Sequence, residues 1–110
     1  MFNSSKKIFI RENSIIARIA AKILRSEKMA IVVGSTIHLW GSGKNELIEN
    51  KRWLRHELTH IMQFRHYGFI KFILFYVWET IKNGYHNNRF EIEAREKESN
   101  KESLACISIS

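Results

Sequence analysis

Apolar residues recur at Ile15, Ile16, Ile19, Ala20, Ile23 and Leu24, a spacing of three to four that predicts an amphipathic helix from Asn13 to about Arg25. Asn13 or Ser14 can serve as its N-cap. The stretch "MAIVVGSTIHLW", residues 29–40, is rich in β-branched residues and interrupted at Gly34-Ser35, which predicts two short strands meeting at a tight turn or bulge. "GSGKNE", residues 41–46, reads as a loop. A second helix is expected from Leu47 or Asn50 to Tyr67, ended by Gly68, and a third over Phe69–Lys82. "NGYHNN", residues 83–88, reads as a turn before a fourth helix over Arg89–Lys101. The tail from 102 to 110 is expected to be disordered or a short edge strand. The pattern gives an α+β class, mainly helical, with a small antiparallel hairpin or sheet.

The whole chain of 110 residues fits one domain, and a hydrophobic fraction of 45% argues for a packed globule. The single cysteine, Cys106, excludes an internal disulfide framework and any multi-cysteine metal site. "MFNSSKKIFIRENS" has no apolar core of a secretory signal, and "FIKFILFYVW", residues 69–78, is too short to span a bilayer and carries Lys71. A soluble, cytoplasmic protein is the expectation. The net charge of +7 raises a nucleic-acid reading, but the basic residues are scattered. The one tight cluster, Lys51, Arg52 and Arg55, fits a solvated helix face, so no nucleic acid is expected.

The chemistry concentrates in "WLRHELTHIMQF", residues 53–64. On a helix His56 and His60 lie about 40° apart and about 6 Å along the axis, so two imidazoles can reach one ion. Glu57, about 100° round, is poorly placed to ligate and well placed to take a proton from water. The residue order gives each side chain its own task. Chance placement of His-Glu-x-x-His in this composition is expected only about 0.02 times.

A catalytic zinc needs a third protein ligand. The sequence contains no Asp, and His66 lies about 240° round the helix from His60, facing away. A Glu of "FEIEAREKE", residues 90–98, is left. Glu91 and Glu93 both border the apolar positions Phe90 and Ala94, which favours Glu91 only slightly. Glu98, seven positions after Glu91, would lie about 10 Å along the axis and beyond the ion if Glu91 ligates.

"LRHELTHIMQ" followed by "FEIEARE" resembles the gluzincin, thermolysin-like clan, and more closely small bacterial zinc metallopeptidase domains in which a strand-Gly-strand hairpin precedes the HELxHxxQ helix. The resemblance covers roughly residues 29–98. It implies a zincin-like fold, one zinc per chain held by His56, His60 and Glu91, Glu57 as general base, and hydrolysis of peptide or protein substrates. One position departs from it: many gluzincins carry an Asp four residues after the ligating Glu, where this chain has Arg95.

Other candidates have secondary expectations. Tyr85 and His86, before the last helix, could donate a hydrogen bond to an oxyanion, although turn residues without chemistry are commoner. The strand Thr36–Trp40 could bind an extended substrate by strand addition. His38 is expected at the surface. Phe69, Phe72, Phe75, Tyr76 and Trp78 are expected to form a buried helix behind the active one, with membrane-surface contact as the lesser reading. The alternatives to a peptidase are a zinc-stabilised interaction module without turnover and a basic nucleic-acid binder. Oligomeric state is left open.

Overall fold

In a computed structural model, which describes residues 7–99 and 108–109, the chain begins with a strand. β1 (Lys7–Arg11) precedes α1 (Ile15–Leu24), β2 (Met29–Val33), β3 (Thr36–Trp40), α2 (Lys44–Glu49), α3 (Lys51–Tyr67), α4 (Phe69–Asn83), α5 (Arg89–Lys97) and β4 (Ser108–Ile109). The strand order is β2-β3-β1-β4. β2 and β3 form the expected antiparallel hairpin, with Val33 opposite Thr36 across the two-residue turn, where Gly34 takes φ 65°. β1 then runs parallel to β3, with Phe9 opposite Thr36, and β4 parallel to β1. The sheet is therefore mixed and not a simple hairpin.

Two consequences correct the expectations. β3 is paired on both sides, so the strand Thr36–Trp40 has no free edge for a substrate; the edge beside it is β2. His38, on that central strand, is buried and its Nδ1 lies 2.8 Å from the Ser14 hydroxyl, not at the surface. Ser14 is the N-cap of α1 and also accepts from the Ala17 amide, so α1 is seated on the sheet face that carries His38. Ile37 and Leu39 point the other way, into a core with Leu54, Leu58 and Ile61 of α3.

α2 starts inside the expected loop. Its N-cap, Gly43, offers no side chain, and the Glu12 carboxylate accepts from the Lys44 amide at 2.6 Å instead. Gly41 (φ 78°) is required where the chain leaves β3, because a Cβ there would lie 2.1 Å from the Glu27 carbonyl oxygen. α3 starts at Asn50, whose side chain accepts from the Trp53 amide, and stops at Gly68 (φ 89°), as the spacing predicts. α5 ends at Lys97, before the predicted Lys101; residues 100–107 lie outside the described ones.

α4 departs most from expectation. Only Phe72 and Glu79 are buried, and Phe69, Phe75 and Trp78 are exposed to 48, 41 and 60%. It is a surface helix with one anchored face, not a buried one. No helix among the described residues is long and apolar enough to cross a membrane.

Candidate metal centre

The site lies where α3 meets α5, and buried polar groups join α5 to α4. Asn88, fully buried, accepts from the Phe90 amide at 2.8 Å as N-cap of α5. Its Nδ2 donates to the Tyr76 carbonyl at 3.1 Å and to Thr80 Oγ1 at 3.0 Å. Glu79 Oε1 accepts from the Arg89 amide at 3.1 Å. These bonds fix the first turn of α5, where Glu91 turns inward against α3.

The helical spacing brings His56 and His60 together, with ring centroids 5.0 Å apart. Glu91 reaches both: Oε1 lies 3.0 Å from His56 Nε2 and Oε2 3.2 Å from His60 Nε2. The Tyr76 hydroxyl also donates to Glu91 Oε2. The three candidate ligand atoms all lie within 4.8 Å of one another, so His56, His60 and Glu91 can hold a metal ion.

The far side of each imidazole is equally defined. His56 Nδ1 lies 2.8 Å from Glu98 Oε2 and His60 Nδ1 2.9 Å from Gln63 Oε1. A carboxylate can only accept, so His56 Nδ1 donates to Glu98, and without a cation Nε2 donates to Glu91. The Gln63 amide nitrogen donates to the Phe90 carbonyl at 3.1 Å and to Glu93 Oε1 at 2.7 Å, which turns its oxygen toward His60. Each ring is thus held with Nδ1–H bonded outward and Nε2 aimed at the common point, the support that metal-ligating histidines need.

Protons stand in for a cation in this arrangement. Burial pushes the Glu91 carboxyl up, but hydrogen bonds from His56 and His60, the His60 charge and the Tyr76 hydroxyl hold it well below the usual range. Burial lowers His56, yet Glu91, Glu57 and Glu98 together lift it to about 9. His60 is raised against its burial by Glu91, Glu57 and Gln63. Burial pushes Glu57 up to about 7, against the opposing charges of His60 and His56.

The cluster forms the polar end of a mostly apolar groove of about 250 Å³ between β2, α3 and α4, walled by Met29–Val33, Phe72, Ile73 and Val77. Glu57 and Tyr85 line this groove and also a second recess of about 330 Å³, bordered by Lys28, Glu46 and Asn50. Burial and the nearby Glu91 charge raise the phenols of Tyr76 and Tyr85, which keeps both as hydrogen-bond donors. His86 is exposed, and its contribution is a backbone carbonyl bonded by Arg95 at 2.6 Å.

Sequence reasoning gave Gln63 and Glu98 no chemical role, set Tyr76 in a buried helix and left Glu93 open as the third ligand; Glu93 instead bonds Gln63. Gln63 was within reach of it, being three residues after His60 and on its face. Glu98 is indeed too far along α5 to share the ion with Glu91, and it meets the opposite nitrogen of His56. The basic cluster has an inward use as well: Arg52 pairs with the Glu98 carboxylate at 3.3 Å, and Arg55 donates to the Glu98 carbonyl at 2.6 Å.

A four-stranded mixed sheet and a helix presenting two histidines to a buried glutamate define a small α+β domain with a metal-competent centre. The chain belongs to the eCIS core domain family, whose model matches residues 6–68. That span takes in β1 to α3, with His56, Glu57 and His60, and stops before α4 and α5, which carry Tyr76, Glu91 and Glu98. No curated protein and no solved structure matches the chain significantly. Family membership by itself assigns no chemistry here.

Proposed function

We propose that this domain is a zinc-dependent, gluzincin-like peptide hydrolase, with zinc held by His56, His60 and Glu91 and with Glu57 as general base. The observation that carries the proposal is the pair of imidazoles whose Nδ1 atoms are bonded outward to Glu98 and Gln63 while both Nε2 atoms converge on the Glu91 carboxylate. Two neutral nitrogens and one carboxylate oxygen form a donor set suited to zinc. A zinc held by these three residues would supply Lewis acidity for a carbonyl and for water near neutral pH.

The chain's own groups do the rest. Glu57, raised to about 7, is matched to taking a proton from the attacking water and passing it to the leaving amine. Tyr85, in the groove wall, is a donor for the developing oxyanion. An extended peptide can pair with the free edge of β2, which lines the groove, and place side chains against its apolar wall.

Glu57→Gln tests the assignment. The variant should bind zinc as the parent does and lose about 10² to 10⁴ in the rate of peptide hydrolysis, because the amide cannot take the proton. Turnover at the parent rate would remove Glu57 from the base role. The burial of Glu91 between α3 and α5 also favours a second reading, a zinc-stabilised interaction module. That reading is distinguished by zinc-dependent folding with no hydrolysis in parent or variant.

A further inference from the structure

The outward face of α4 is apolar for its whole length. At about 100° per residue, Ile70, Ile73, Leu74, Val77, Trp78 and Ile81 fall in one arc opposite the anchored Phe72 and Glu79. They are between 36 and 73% exposed, on the order of 600 Å² of apolar surface, more than a soluble monomer ordinarily leaves bare. No charged residue interrupts the arc. Lys71 and Lys82, both exposed, border it on one flank, and the helix's single acid, Glu79, is buried beneath, 3.6 Å from Lys82 Nζ.

α1 repeats the design. Ile15, Ile16, Ile19 and Ile23 are between 46 and 74% exposed, while the buried face is made of Ala17 and Ala21. Arg18, Lys22 and Arg25 are the charged residues beside them, and the helix carries no acid. Leu24 of α1 and Ile73 and Val77 of α4 line the same groove, so its rim joins the two surfaces.

We propose that these faces seat the domain on an anionic phospholipid bilayer, with α4 lying in the plane of the interface. The charge pattern selects this occupant. A second copy docked face to face would set Lys71 and Lys82 against like charges with no free acid on either helix. Anionic headgroups meet the lysines and arginines, while the aliphatic arc and the Trp78 indole enter the acyl boundary. With 15 residues, α4 is too short to cross. Seated this way, the groove mouth opens at the lipid surface.

The test is co-sedimentation of the whole chain with vesicles of phosphatidylcholine alone and of phosphatidylcholine with phosphatidylglycerol. The expected result is binding to the second kind, weakening as salt is raised. Lys71→Gln with Lys82→Gln should weaken that binding roughly 30-fold. Leu74→Glu with Trp78→Glu should weaken it at least about a hundredfold. These positions are exposed, and unchanged circular dichroism and zinc uptake would show that fold and site persist, keeping the result separate from the peptidase reading. Absence of binding to anionic vesicles, equal binding to both kinds, or a solution dimer that Leu74→Glu with Trp78→Glu dissolves would each overturn the proposal.

Discussion

Glu98 lies one bond beyond the candidate ligands, against the outward nitrogen of His56. In the proposed site it would take, seven residues after Glu91, the orienting role for which position 95 supplies only an arginine. Glu98→Ala should lower zinc affinity about 10- to 100-fold, read by competition with a chromogenic chelator. Glu93→Ala acts on His60 only through Gln63 and should cost less. The proton balance of the site gives a second expectation. His56 is raised from an ordinary 6.5 to about 9 in the metal-free chain. A raised histidine contributes stability that is complete below pH 6.5 and lost as pH rises through 9. Urea unfolding of the metal-free protein should therefore give less stability at pH 9.5 than at pH 6, by on the order of 2 kcal/mol. The same protons compete with zinc, so zinc affinity should fall as pH drops below about 9, where free imidazoles would give a midpoint near 6.5. Calorimetric titration in buffers of different ionisation enthalpy should detect the released protons.

Asn88 matters most among the groups that join elements, because one side chain caps α5 and ties it to two groups of α4. Asn88→Ala should destabilise the fold by about 2–3 kcal/mol, measured by thermal unfolding, and should weaken zinc binding although the Asn88 side chain bonds no ligand side chain. The elements legible in the sequence were those whose signals are local. The His56/His60 face, the Asn50 cap and the Gly68 stop all lie within one helix and its ends. α2 was not legible because Glu12, 32 residues from Lys44, supplies its cap. β1 is five residues bounded by charges, and only pairing with β3 gives Ile8 and Ile10 an inside to face. The apolar run of α4 looked like core because hydropathy records what a residue favours and not what the fold places over it. Tyr76 and Glu98 depend on how α4 and α5 dock, and no spacing along the chain encodes that.

At the scale of the molecule, the candidate ligands tie α3 to a helix beyond the residues matched by the family model. The proposed zinc would stabilise the folded chain by mass action, about 4 kcal/mol at a thousandfold excess over Kd. Chelation should lower the thermal midpoint, and Glu91→Ala should remove most of that difference in calorimetric scans. Glu57 borders two cavities of unlike character, the apolar groove and the recess edged by Lys28, Glu46 and Asn50. A carboxylate set in the partition between an oily chamber and a wet one can be supplied from both. In the proposed hydrolase, water would come in by the rear door while a peptide occupied the front, so the reactants would not queue for one entrance. Narrowing the rear door would then slow turnover and leave peptide affinity untouched.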